Sequence, residues 1–240
     1  MSREETQEKI SEIVNNSSFI ELSKDEKYYI NTVTGEQYQR VTSFRDGGKE
    51  IEENDFLKSA TTIGSAVDSF VRDFFAGKIN SVKDIDTWRA ANLTAVVTNE
   101  NLSELEGYFK SLQAFKVSLD AKNETAVLSD KEIVLYNDDL GIAGTVDLLT
   151  YDNKGHFRIY DMKTMRGNQL IDAHKSGANK GKTKYDNSYN TGEDSNKVKH
   201  QKQLSLYRML MYNTHGVLAS ELNIMPIVVS YNPGEKTTTK

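Results

Sequence analysis

Residues 142–163 read IAGTVDLLTYDNKGHFRIYDMK, two apolar runs joined by Asp152-Asn153-Lys154-Gly155. The joining tetrapeptide is turn chemistry, and the short runs rich in β-branched and aromatic residues are strands. Side chains alternate between the two faces of a strand, so Phe157, Ile159, Asp161 and Lys163 share one face. An apolar face that ends in an acid and a lysine makes a poor core and a good site. The first run carries its own acid, Asp147, between Val146 and Leu148. A carboxylate taken out of water beside apolar neighbours needs a cation or several hydrogen-bond donors. A hairpin of these strands brings Asp147 alongside Asp161, fourteen residues later. Two carboxylates so placed repel unless a divalent ion lies between them. The plainer alternative is a buried aspartate that caps a turn.

Working outward, residues 133–136 form a strand before this hairpin and 137–139 its turn, so the expected core is a three-strand meander over 133–136, 142–150 and 157–162. Ahead of it, 1–24 read as a polar helix and connector, and 28–33 with 37–41 as a hairpin turning at Thr34-Gly35. Ile63, Val67, Phe70 and Phe74 recur at helical spacing over 55–75. Residues 84–119 are helical too, with Leu105, Tyr108, Phe109, Leu112 and Phe115 as a core stripe. A helix over 196–212 and a strand over 224–231 close the chain, with 166–195 a long Gly-, Asn-, Ser- and Lys-rich loop. The order of elements predicts an α/β fold, a mixed central β-sheet flanked by helices with an additional helical portion. One domain is expected, divided into 1–53, 54–125 and a core over 126–231, and the chain reads as a fragment of a longer protein.

Composition narrows the classes. The chain has 240 residues, no cysteine and a net charge of −5. Thiolate metal sites and disulfide frameworks are therefore excluded. No apolar run has the ~20 residues of a membrane span, and the charged N-terminus lacks a secretory apolar region, so a cytoplasmic setting without membrane is expected. Between Lys154 and Lys202 stand eleven Lys or Arg against five Asp or Glu, which leaves the rest of the chain at −11. A basic segment on an acidic body steers a polyanion to one face, though a solvated lysine-rich loop has the same composition.

The helix over 196–212 adds polar groups in register. Gln203 and Tyr207 are four residues apart and His200 lies three before, so the three stack on one helix face. Asp-x-Lys is weak by itself, since Asp25-Glu26-Lys27 and Asp120-Ala121-Lys122 also fit it in polar surroundings. The occurrence at Asp161-Met162-Lys163 terminates an apolar strand.

Gly-x-x-Asp at Gly144 to Asp147, then Asp-x-Lys at Asp161 to Lys163, then Gln-x-x-x-Tyr at Gln203 to Tyr207, resemble in that order the RecB-type branch of the PD-(D/E)XK nuclease superfamily. Tyr38-Gln39-Arg40-Val41-Thr42-Ser43 is similar to a short segment near the start of phage and mitochondrial genome-maintenance exonucleases of that branch. The likeness spans about residues 28–231. It departs at Gly64-Ser65-Ala66-Val67-Asp68, where the branch carries Gly-x-x-x-His. Asp68 lies one helical turn after Gly64 and offers an oxygen ligand where the family has imidazole; as a surface acid it would leave activity altered or lost.

The resemblance implies a restriction-endonuclease-like core and a Mg²⁺- or Mn²⁺-dependent deoxyribonuclease holding one or two ions. Asp147, Asp161, the main-chain carbonyl of Met162 and Asp68 would be ligands. Lys163 would orient or help deprotonate the attacking water, and Gln203 and Tyr207 would position phosphate or metal-bound groups. His200 and the loop residues Arg166, Lys175, Lys180, Lys182 and Lys184 would grip the DNA backbone without reading sequence. The expected role is exonucleolytic, on single strands or ends, in recombination, repair or replication of a phage or bacterium, with a helicase, recombinase or other replication protein as partner and the bacterial host cytoplasm as setting if phage-encoded. The rivals are an inactive DNA-binding module of nuclease ancestry and a restriction-type endonuclease.

Overall fold

A computed structural model describes residues 1–48, 55–92, 94, 105–129, 131–166, 180 and 195–229; of 55–61, 63, 164–166 and 227–229 it describes the backbone alone. The chain forms two compact units. The first joins Met1–Glu50, Ser118–Asp161 and Asn196–Met225, and the second joins Ile51–Val117, Met162–Ser195 and Pro226–Lys240.

The elements follow in order as α1 (Arg3–Ser17), β1 (Ile20–Leu22), β2 (Tyr28–Asn31), β3 (Gln37–Arg40), α2 (Val41–Arg45), α3 (Asp55–Phe75), α4 (Val82–Asn92), α5 (Leu105–Ala121), β4 (Glu124–Ala126), β5 (Ile133–Asn137), β6 (Ile142–Val146), β7 (Leu148–Asp152), β8 (Phe157–Arg166), α6 (Asn196–His215) and β9 (Glu221–Val229). The fold is α/β, as the order of elements predicts, but the single central sheet with its three-strand meander is corrected: β5 and β8 lie in different sheets. One sheet runs β1-β2-β3-β6-β5 and the other β4-β7-β8-β9. The first is mixed, because β3 pairs parallel with β6 while its other pairs are antiparallel.

The single strand expected over 142–150 is corrected here. It breaks at Asp147 into β6 and β7, which belong to different sheets. Val146 and Leu149 nevertheless lie in one apolar core. In a straight strand residues three apart point to opposite faces, so the bend at Asp147 turns the chain by one face and lets both flanking runs stay buried.

That core gathers Ile13 of α1, Val41 of α2, Leu135 of β5, Ile142 of β6, Phe157 and Ile159 of β8, and Leu204, Tyr207 and Leu210 of α6. Burying each large apolar side chain contributes roughly 1.5–3 kcal/mol, which is what presses these helices onto the strands. Helix α1 starts from a capping box, with the Glu5 amide donating to Ser2 Oγ at 3.2 Å and the Ser2 amide to Glu5 Oε2 at 2.6 Å. Its last residue pins it to β5, since Ser17 Oγ accepts from the Val134 amide at 2.7 Å and donates to the Glu132 carbonyl at 2.9 Å.

In the second unit the expected stripe is buried at Val67, Phe70 and Phe74. Phe70 meets Trp88 of α4 edge-on at 5.2 Å, and Phe74 meets Phe109 of α5 at 5.7 Å. The stretch 84–119 holds two helices, α4 and α5, and most of 93–104 lies outside the described residues.

The β7–β8 turn is organised by Asp152. Its Oδ1 accepts from the amides of Lys154 at 2.9 Å and His156 at 3.0 Å, and its Oδ2 meets His156 Nδ1 at 3.0 Å. Burial works to raise this carboxyl, but the His156 and Lys154 donors outweigh it and bring the pKa to about 2. A carboxyl depressed in the folded state stabilises it above the unfolded pKa, and that contribution is lost as pH falls through the folded value. Unfolding free energy measured by urea titration should therefore drop from about pH 4 to about pH 2, and Asp152→Asn should flatten that part of the curve. Parallel wild-type and variant curves would show that Asp152 does not hold the turn.

Candidate active site

Strand β7 pairs antiparallel with β8 from Tyr151↔Phe157 to Leu148↔Tyr160. That ladder ends at Leu148↔Tyr160, so Asp147 and Asp161 are the next residue on each strand, and the charges of both act on the Tyr207 hydroxyl. The hairpin expected from the sequence is present, with Asp147 at the bend between the sheets. Asp147 is half-buried and Asp161 is 1% exposed. Asp161 shares its strand face with Phe157 and Ile159, and that face carries the core under α6.

Helix α6 delivers the polar partners. Gln203 Nε2 donates to Asp161 Oδ1 at 3.2 Å and to Tyr207 Oη at 3.1 Å. Gln203 Oε1 in turn accepts from Arg45 Nη1 at 2.9 Å. A guanidinium has only donors, so Arg45 fixes which end of the carboxamide is oxygen, and both amide hydrogens are committed to Asp161 and Tyr207. Arg45 is held by Asp46, through Nε to Oδ1 at 2.8 Å and Nη2 to Oδ2 at 2.6 Å. Hydrogen bonds from Arg45, aided by its charge and those of Lys199 and Lys202, hold the Asp46 carboxyl below the usual range.

Tyr207 is buried, and its hydroxyl is pushed well above its ordinary pKa, first by burial and then by the charges of Asp147 and Asp161. It therefore remains a neutral donor at physiological pH. Having accepted from Gln203, its own proton must point elsewhere, and the ring lines a cavity of about 150 Å³ together with Tyr29, Arg40, Thr42 and Thr145. Tyr29 Oη donates to Thr145 Oγ1 at 2.8 Å, whose hydroxyl donates to Glu132 Oε2 at 3.2 Å.

The glycine of Gly-x-x-Asp has a steric reason. A Cβ on Gly144 would lie 2.8 Å from Tyr207 Cε1 and 2.9 Å from Val41 Cγ2. The first and third motifs therefore touch, strand backbone against tyrosine ring.

Asp147, Asp161, Gln203 and Tyr207 are thus gathered in the first unit. Asp68 is half-buried on α3 in the second unit, where Met162, buried, and Lys163, half-buried, continue β8. His200 is half-buried on α6 and Lys180 is exposed, while Lys175, Lys182, Lys184 and the Arg166 side chain lie outside the described residues. Among the described residues no group of three or more His, Cys, Asp or Glu side chains is placed to hold a metal ion. Among them also, no helix is long and apolar enough to cross a membrane. Arg45 escapes sequence reasoning, since nothing in its spacing singles it out. Arg40 and Thr42 lie within the Tyr38–Ser43 segment and prove to be cavity wall.

No protein-family model, curated protein or solved structure matches this chain.

Gly144→Ala should cost roughly 1–3 kcal/mol of stability by overpacking. A double-mutant cycle with Tyr207→Ala should show the same substitution costing less once the ring is gone. Equal costs in both backgrounds would mean that the tyrosine does not rest on Gly144.

Proposed function

We propose that the protein is a metal-dependent deoxyribonuclease of the PD-(D/E)XK type, with a restriction-endonuclease-like core, acting as an exonuclease. The observation that carries this reading is the cluster of the three motifs, with Gln203 bonded to Asp161 and to Tyr207, and Tyr207 under the charge of both Asp147 and Asp161. The donor set fits a hard divalent cation, since both acids present oxygen and Asp161 is deeply buried.

Asp147 and Asp161 would hold Mg²⁺ or Mn²⁺, with the Met162 carbonyl, next in the chain, as a further ligand that the family pattern assigns. Such an ion lowers the pKa of bound water and offsets charge on phosphate oxygens. The chain's own groups set the stage for that chemistry. Gln203 fixes the rotation of the Asp161 carboxylate. Tyr207, kept protonated, adds no negative charge beside two acids. Lys163, two residues past Asp161 on β8, supplies positive charge near the reacting phosphate. Arg166, Lys175, Lys180, Lys182 and Lys184 contribute sequence-independent grip. Action on DNA ends inside a replication or recombination assembly follows from Gln-x-x-x-Tyr, the motif of the exonuclease branch.

The test is digestion of end-labelled linear, circular and single-stranded DNA with Mg²⁺, Mn²⁺ or EDTA, paired with calorimetric metal titration. Asp147→Asn and Asp161→Asn should each lower cleavage by at least about a hundredfold and weaken metal binding. Both should keep the fold and match or exceed wild-type stability without metal, because a like-charge pair is relieved. Full cleavage in EDTA or by Asp161→Asn would refute the assignment, and DNA bound but uncut under every condition would favour the inactive binding module.

A further inference from the structure

Helix α2 ends in Phe44-Arg45, and Phe44 is 47% exposed. It forms one wall of a groove of about 490 Å³ between α2 and α6, with Val198, Leu206 and Met209 as other apolar walls and Arg45 and Lys202 among the polar ones. Pockets that bind small planar ligands have volumes of roughly 300–1,000 Å³. An exposed aromatic ring beside apolar side chains suits a flat partner with π faces.

The rim specifies charge. Lys199 and Lys202 lie close enough to Asp46 to help depress its carboxyl. Three cations, Arg45, Lys199 and Lys202, thus act on the one carboxylate of Asp46. From Asn196 to Ser220 the sequence holds Lys197, Lys199, Lys202 and Arg208 and no Asp or Glu. An exposed aromatic ring in an apolar groove edged by cations complements a nucleobase flanked by phosphates. Bases inside a duplex are stacked on both faces, so only an unpaired base can enter.

The groove is also one side chain away from the acids. Arg45 lines it and donates to Gln203, which donates to Asp161. We propose that the groove between α2 and α6 is a nucleotide subsite for single-stranded DNA, in which one base stacks on Phe44 while neighbouring phosphates meet Lys199 and Lys202. This rests on the nuclease reading for its biological sense, but its test does not use cleavage.

Fluorescence anisotropy of labelled oligo(dT) and of a blunt duplex, in EDTA, measures binding alone. Base–aromatic stacking is worth about 5- to 150-fold in affinity. Phe44→Ala should lose that factor for oligo(dT) and none for the duplex, and Phe44→Trp should restore it. An abasic oligomer of equal length should bind wild type as weakly as oligo(dT) binds Phe44→Ala. Lys199→Gln with Lys202→Gln should reduce the salt slope by about 1.4. Because Phe44 is exposed, its variants should melt as wild type does. Wild-type affinity of Phe44→Ala for oligo(dT), or an abasic strand bound as tightly as a normal one, would overturn the proposal. So would a wild-type dimer that Phe44→Ala dissociates with no change in DNA affinity, which would assign the groove to a second copy of the chain. Metal-dependent cleavage with these binding arms failing would remove the subsite alone. Binding as predicted with the Asp147 and Asp161 variants still cutting would remove the nuclease reading alone.

Discussion

Residues 142–152 serve two sheets. β6 is hydrogen-bonded between β3 and β5, and β7 between β4 and β8, so the chain must leave one ladder and enter the other within a single residue. Asp147 is that residue. The flanking side chains Val146 and Leu148 are both buried, while Asp147 between them is half-buried, so the bend turns the carboxylate out of the apolar packing on either side. The same bend starts the β7–β8 ladder, and Asp161 is the next residue of β8 beyond its first pair, Leu148↔Tyr160. The position of the acid pair is thus a consequence of how one segment is shared.

The helix above the pair is fixed by contact at the backbone. Tyr207 reaches the strand because residue 144 has no side chain, and once the ring lies there Gln203, one turn earlier, is brought to Asp161. A carboxamide can rotate by half a turn with little change in shape. Arg45 removes that freedom by donating to its oxygen, and Asp46 holds Arg45 in turn. The chain from Asp46 to Asp161 is therefore a sequence of donors and acceptors in which each polarity dictates the next.

What the sequence discloses here follows the range of the interactions. The alternation of Phe157, Ile159 and Asp161 is local, and the structure puts the first two in the core and the third beneath Gln203. The four-residue spacing of Gln203 and Tyr207 is local as well, and they are hydrogen-bonded. By contrast the parallel pairing of β3 with β6 joins residues about a hundred positions apart, and no local pattern announces it. Because of that pairing, α2 is placed beside α6, and Arg45, Arg40 and Thr42 arrive at the site with it. The bend at Asp147 was hidden for another reason: β6 and β7 are both apolar and contiguous, so the run reads as one strand until a residue three positions away is found on the same face.

The two faces of the β7–β8 hairpin divide the work. Opposite Asp161's face, Tyr160 donates to Glu124 Oε2 at 3.0 Å, as does Thr150, while Arg158 approaches Glu124 Oε1 at 3.5 Å and Asp152 at 3.3 Å. Burial and the Glu124 charge both push the Tyr160 hydroxyl upward, so it stays a donor. These partners come from β4, β7 and β8 themselves, which makes the cluster a clamp across three strands. A buried acid supplied by its own sheet with hydroxyl donors and a guanidinium has its chemistry absorbed by structure. The clamp fixes the spacing of β7 and β8 from behind, and Asp161 continues β8 directly beyond that ladder. A hairpin free to shear by one residue would turn Asp161 to the wrong face altogether, so the polar network on the back is a condition for the site on the front.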